Sequence, residues 1–401
     1  MSKSSSTIGP VLIDSLEARF LCSAGDLDLK FGKAGLLTLN GSDGNTEANA
    51  VAVQADGKLL VAAGKRPNFP YVTITRYLAN GKRDPTFATD GRILLTDSQF
   101  ISGGLFIQSD GKILTARYVK KKWSLVRYTN KGKPDTSFGD KGIAAGAKDR
   151  PTDIVQSGKK IYAVRYVSGF RLERYSLDGK LDSSFGVKGV VTTPFAFDQG
   201  SKSYCESVVV QPDGKVLVAG NANEHFAIAR YETDGTLDAS FGDGGKLVSN
   251  LPAMSEAITR IFVQPDGKIL ATGRNMGDWG YTYAMARYLP NGQVDPTFGR
   301  GGSVDTNVGA SRPSVMQSDG KIIIVGTTVG AQTQDLIIAR YNSNGSLDKS
   351  FGKKGKVQAD FSEREDPRTV FLSAQDSRIN VVVRSAQPQK GYLIEARYLA
   401  K

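Results

Sequence analysis

Residues 207–249 read SVVVQPDGKVLVAGNANEHFAIARYETDGTLDASFGDGGKLVS, and the fold is decided here. Residues 207–211 and 215–220 are short β-branched runs. They are joined by Pro212-Asp213-Gly214, a turn in which Pro presets φ and Gly accepts a positive one. Residues 226–231 predict a third strand and residues 246–249 a weaker fourth. Four short antiparallel strands in about 50 residues form one sheet that cannot bury its own faces, so it must stack on others like it.

The pattern recurs seven times along the chain. An Asp followed three residues later by Phe occurs at Asp28/Phe31, Asp84/Phe87, Asp135/Phe138, Asp182/Phe185, Asp238/Phe241, Asp295/Phe298 and Asp348/Phe351. A Gln before a turn stands at Gln54, Gln108, Gln156, Gln211, Gln264, Gln317 and Gln375, and Arg-Tyr begins at Arg76, Arg127, Arg174, Arg230, Arg287, Arg340 and Arg397. This predicts an all-β, seven-bladed β-propeller over residues 26–401, with four antiparallel strands per blade and residues 1–25 as an N-terminal extension. The first copy starts with Asp-Phe-Gly and one strand, and the last stops after Arg-Tyr. The N-terminal strand is therefore expected to close the ring by joining the last blade, which removes two open sheet edges.

Composition agrees with many turns, since 45 Gly in 401 residues is well above the usual ~7%. No run approaches the ~18 to 20 apolar residues that span a bilayer, so no membrane span is expected. The two cysteines, Cys22 and Cys205, exclude a disulfide-stapled scaffold, and Cys205 is expected in a loop.

In combination, V-x-V-Q-x-D-G-K-[IV]-L-V-A-G, A-R-Y and D-G-x-L-D-x-[ST]-F-G resemble the delta-60 repeat family of bacterial proteins, over residues 26–401. The resemblance implies a propeller-like fold and brings no catalytic residues. Two copies depart from it: Gln156-Ser157-Gly158-Lys159 lacks the Asp, and Asp376-Ser377-Arg378 replaces Asp-Gly-Lys. Residues 16–24, LEARFLCSA, resemble a Leu-Glu-x-Arg segment of exported planctomycete-type proteins, which implies an extracellular or cell-envelope location. No apolar h-region of a signal peptide accompanies it.

Features present in every copy are most economically framework: the Phe as an apolar plug, and the Arg as a fork of donors for the Asp or for carbonyls of a neighbouring segment. His225 is the only histidine, is expected in a loop beside Glu224, and has no nucleophile signature near it. Asp43-Gly44-Asn45 and Asp243-Gly244-Gly245 lack the spacing of calcium loops, so no metal site and no cofactor are expected.

Alternate connections of an antiparallel sheet lie at opposite ends. The Gln-turns and the Arg-Tyr to Phe-Gly linkers therefore share one face, which carries the excess of the net charge of +12, densest at Lys349, Lys353, Lys354 and Lys356. Scattered charge without interleaved aromatics argues against nucleic acid. The other face carries loops that differ between copies, and candidate binding residues are placed there: Arg66, Asn68, Tyr71, Asp198, Tyr204, Asp278, Trp279, Tyr281 and Tyr283. The sequence reading is a monomeric, non-enzymatic binding or scaffolding propeller for a protein or glycan ligand. The alternative is a carboxylate-based hydrolase, lyase or lactonase-like enzyme using residues such as Asp97, Asp198, Asp278, Asp305, Asp335 and Asp360 at the funnel. Converging acidic groups would favour it, and an apolar channel would not.

Overall fold

The structure is a computed structural model. It describes residues 23–39, 47–64, 72–96, 101–195, 203–251, 257–277, 280–309, 313–329, 334–361, 365–373, 378–385 and 392–400. In chain order, β1 (Leu36–Leu39) is followed by β2 (Glu47–Val53), β3 (Leu59–Gly64), β4 (Val72–Tyr77) and β5 (Arg92–Leu95), the last four forming one sheet in that order. A three-stranded sheet holds β6 (Ile101–Ile107), β7 (Ile113–Val119) and β8 (Lys122–Tyr128). Two four-stranded sheets follow: β9 (Arg150–Ser157), β10 (Lys160–Tyr166), β11 (Phe170–Ser176) and β12 (Val190–Thr193), then β13 (Ser203–Val210), β14 (Val216–Ala222), β15 (His225–Tyr231) and β16 (Lys246–Val248).

An eight-stranded sheet contains β17 (Ala257–Val263), β18 (Ile269–Gly277), β19 (Gly280–Tyr288), β20 (Ser303–Gly309), β21 (Ser314–Met316), β22 (Ile322–Thr327), β23 (Leu336–Tyr341) and β24 (Lys356–Ala359). Finally β25 (Glu365–Leu372), β26 (Ile379–Ser385) and β27 (Tyr392–Tyr398) take β1 as their outer strand, with Leu37 opposite Glu395.

The β-propeller stands, but its blade count is corrected. Five blades of four or more strands form, not seven: the described residues make six sheets, one of them only three-stranded. Two local causes account for the difference. The seven-residue β20 outruns the other outer strands and bridges Gly309 to Thr327 of β22, which fuses two repeats into one sheet. In the second repeat the outer segment is Gly- and Ala-rich (142–147, GIAAGA), and such residues pack poorly on a pleated surface. It is held to β8 only by isolated bridges, Val126 to Ile143 and Trp123 to Ala147.

The innermost strands pack side by side around the axis: β2 on β6, β6 on β9, β9 on β13, β13 on β17, and β21 on β25, which returns to β2. Apolar faces of neighbouring sheets interlock between them, and the Phe of each Asp-x-x-Phe marker is buried.

The Arg-Tyr marker clamps one repeat to the next. In six copies Nε of the Arg donates to the marker Asp eight residues on, for example Arg230 to Asp238 at 2.6 Å and Arg127 to Asp135 at 2.7 Å. Nη1 donates to a carbonyl of the following repeat: Asn130 for Arg76, Leu177 for Arg127, Thr233 for Arg174, Pro290 for Arg230, Ser343 for Arg287 and Ala400 for Arg340. The guanidinium also lies over the marker Phe, at 4.6 Å for Arg230 over Phe241. Burial works to raise the Asp135 pKa, yet the Ser137 hydroxyl and N–H and the Arg127 charge outweigh it and hold the carboxyl at about 2.

The two departing copies keep the logic with altered parts. The third repeat tightens its turn to two residues between Ser157 and Lys160, and Lys160 pairs with Asp182. In the last repeat Asp28 pairs with Arg378 at 3.1 Å, while Arg397 turns to Asn380 at 2.8 Å and stacks on Phe31. The ring seam also recruits residues 23–25, since Gly352 N–H donates to the Ala24 carbonyl and Gly25 N–H to that of Leu399.

Candidate functional site

The clamp repeats along one face, and the side chains that differ between copies lie on the variable face. Of the sequence candidates, Arg66, Asn68, Tyr71, Asp198, Asp278 and Trp279 lie outside the described residues, as does Asp97. The three described tyrosines part ways. Tyr281, at the start of β19, is 45% exposed, with the Arg274 guanidinium 5.5 Å from its ring centroid. Tyr204, in β13, stacks on Tyr166 at 4.4 Å with the rings parallel to within 3°. Tyr283 is fully buried, and its hydroxyl donates to the Pro313 carbonyl at 2.8 Å, so its ring belongs to the core.

Three residues that the sequence reading did not single out complete the rim. Tyr166 ends β10, is 41% exposed and lies beneath the Arg150 guanidinium at 5.3 Å. Tyr118, the penultimate residue of β7, is exposed and meets Trp123 across the hairpin at 5.5 Å. Tyr118 and Tyr166 sit where the other copies place Gly64, Asn221, Arg274, Thr327 and Arg384, so an aromatic ring at that position is the sequence signal that points to them.

Just below this rim the innermost strands carry β-bulges at one level. Register slips between Ala48 and Ala50, Ser102 and Leu105, Cys205 and Ser207, Ile258 and Arg260, and Pro367 and Thr369. In β9 the slip passes over Thr152. Bulges re-aim side chains at barrel rims and next to sites. Here they let polar groups bridge inner strands that are not hydrogen-bonded to one another. Ser102 Oγ donates to the Pro151 carbonyl at 2.6 Å, and Thr152 Oγ1 to that of Cys205 at 2.9 Å. The Asp153 carboxylate accepts from Val208 N–H at 3.1 Å and Ser207 Oγ at 3.3 Å. Burial pushes the Asp153 carboxyl above its usual range, against the pull of Arg260 and these hydrogen bonds.

Below the bulges the wall turns apolar, with half-buried Val209, Val210, Phe262, Val263 and Met316 bordering a cavity of about 790 Å³. Among the described residues no three His, Cys, Asp or Glu groups come together as metal ligands. Asp305 accepts from Thr282 Oγ1 at 3.2 Å, and Asp335 accepts from Gln358 Nε2 at 2.7 Å, so each is engaged locally. Cys205 is corrected from loop to buried strand. Burial pushes its thiol up to about 12, and Sγ donates to the Arg165 carbonyl at 3.3 Å. His225 likewise opens strand β15 after a two-residue turn at Asn223-Glu224, both at positive φ.

Four stretches, residues 108–138, 211–241, 264–298 and 317–351, match the model of a domain of unknown function (DUF5122), described as a beta-propeller. No similar sequence is found among curated proteins. Among solved structures, a virginiamycin B lyase from Staphylococcus aureus aligns with a TM-score of 0.53 at 14% identity, over 90% of this chain and 98% of that one. A chain of a mitotic checkpoint complex aligns with a TM-score of 0.54 at 12% identity, over 99% and 98%. The polysaccharide lyase Uly1 aligns with 0.51 at 11%, over 92% and 93%. Identities this low speak for the fold alone. With the internal repeats and the sheet ring, they make this chain a repeat protein of the β-propeller fold.

Proposed function

We propose that the chain is a non-enzymatic binding propeller, exported to the extracellular space or cell envelope, that takes a protein or glycan ligand on its variable-loop face. The observation that carries this reading is the rim itself. Exposed Tyr118, Tyr166 and Tyr281 stand at the variable-face ends of strands, and Tyr166 and Tyr281 are each paired with an arginine, Arg150 and Arg274. Tyrosine offers a rigid apolar plate with a polar edge, and arginine a planar donor fork, a combination that suits sugar rings and peptide planes. Among the described residues that border the apolar wall, Asp213 is the single carboxylate, where hydrolytic or eliminative chemistry would use a pair. A screen against glycans and envelope proteins, run with the intact protein and with a Tyr204→Ala, Tyr281→Ala variant, tests the reading. At least about tenfold weaker binding by the variant is expected, the scale of an interface anchor. Equal binding by the two proteins would reject this rim as the contact surface.

A further inference from the structure

We infer that the sector of the rim over the second to fourth repeats binds an acidic glycan, a chain of sugars that carry carboxylates; the inference rests on the reading of the rim as a glycan surface. Its basis is charge interleaved with the aromatic rings. Residues 118–123 (YVKKKW) and 147–150 (AKDR) hold five cations, Lys120, Lys121, Lys122, Lys148 and Arg150, against one carboxylate, Asp149. All five cations are exposed, and none forms an ion pair with another described residue. The equivalent turns of the third and fourth repeats, 167–169 and 223–224, carry no cation, so the cluster is not framework. Turn geometry does not ask for lysine either: Lys120 and Lys121 hold φ of 49° and 64°, where Asn-Gly is the usual pair.

The fold makes one strip of these residues. Trp123 N–H donates to the Ala147 carbonyl at 2.8 Å, and Ala147 N–H to that of Trp123 at 2.9 Å. A Cβ on Gly146 would stand 2.8 Å from Lys122 Cβ, so the two segments lie side by side. Arg150 then faces Tyr166 in the β9–β10 ladder, and Tyr166 stacks on Tyr204 of the next repeat. The pair of Tyr118 and Trp123 stands at the other end. The strip crosses from the second repeat to the fourth, which suits a chain better than a single small ion.

The surroundings select the ligand class. Like charges held close together on a rigid rim set up a local positive field that draws an anionic partner. The lysines supply point charges, and Arg150 a planar fork that matches a carboxylate. The rings decide between anionic chains, because a nucleic-acid base needs an open aromatic face to stack on. Tyr166 already has Tyr204 and Arg150 against its ring, and Tyr118 meets Trp123, so these side chains offer edges and polar tips. Such edges suit sugar hydroxyls, and the cations between them suit carboxylates.

The test titrates the intact protein with three probes: a hexasaccharide of galacturonic acid, its methyl ester, which keeps the rings and hydroxyls but no charge, and a single-stranded hexanucleotide of thymidine. The acid is expected to bind at least about tenfold more tightly than the ester, and to weaken about tenfold between about 0.05 M and about 0.5 M salt. Lys122→Gln, Lys148→Gln, Arg150→Gln is expected to lose about tenfold for the acid and to bind the ester as the unaltered protein does. Acid bound no better than ester, acid binding untouched in that variant, the nucleotide bound more tightly than the acid, or no binding of the acid would each overturn the proposal. None of these results decides the rim reading, which falls only if Tyr204→Ala, Tyr281→Ala keeps full binding in the wider screen. Should the cation variant fail to fold, the acid and ester comparison on the unaltered protein decides the question by itself.

Discussion

Arg230 shows what a single residue contributes to this ring. Its three nitrogens serve Asp238, the Pro290 carbonyl and Ser240 Oγ, and its flat face covers Phe241. Lysine gathers its three donors on one nitrogen and has no flat face, so it cannot span these separated acceptors and cover the ring. Arg230→Ala should destabilise the fold by about 3 kcal/mol, the low end for breaking a buried ion pair, because Lys215 still reaches Asp238 at 2.8 Å. The pH dependence has a definite sign. The Asp238 pKa is lowered in the fold, so the stabilisation is complete above the unfolded value of 3.8 and is lost as pH falls through the lower folded value. Melting curves at neutral and acid pH should show the deficit of the variant shrinking in acid. An unchanged melting temperature at neutral pH would remove the clamp from the account. The clamp was legible because Arg, Asp and Phe recur at fixed offsets. The swap in the last repeat was not, because only the fold reveals that Arg378 and Asn380 stand beside Asp28 and Arg397.

At the scale of elements, β27 contains a marked conflict between sequence and burial. Two residues before each Arg of the Arg-Tyr marker stand Ile74, Leu125, Leu172, Ile228, Met285 and Ile338, all fully buried, but β27 has Glu395 there, 1% exposed with Oε2 unpartnered. It faces Leu37 and Val382 across the closing sheet. Burial lifts its carboxyl to about 7, partly offset by the Arg397 charge. A raised carboxyl pKa means that stability falls as pH climbs from the unfolded value of 4.5 to about 7 and is level beyond. Glu395→Ile should therefore stabilise the protein most above pH 7, on the order of 3 kcal/mol, and least near pH 4.5. A gain independent of pH would show that the carboxyl is solvated. Strand positions were legible from β-branched runs and Pro-Asp-Gly turns. The bulges were not, since a bulge is defined by the partner strand, and the fused sheet depended on how far β20 runs.

Over the whole molecule, the copies are joined by backbone as well as side chains. Gly186 N–H donates to the Asp234 carbonyl and Gly242 N–H to that of Asn291. A Cβ on Gly235 would stand 3.0 Å from Phe185 Cε2, which is why a glycine at φ +92° fills that turn. The binding rim was only partly legible, because which aromatic ring is exposed depends on packing: Tyr281 is free to meet a ligand while Tyr283, two residues on, is sealed. The ring closes where β1 completes the sheet of β25, β26 and β27. Hydrogen–deuterium exchange of the peptide spanning Leu36–Leu39 addresses that closure most directly. Protection matching that of the β26–β27 hairpin is expected, since both would open only with the sheet. Exchange at the rate of a free peptide, with β26 and β27 still protected, would contradict a ring closed by its N-terminal strand.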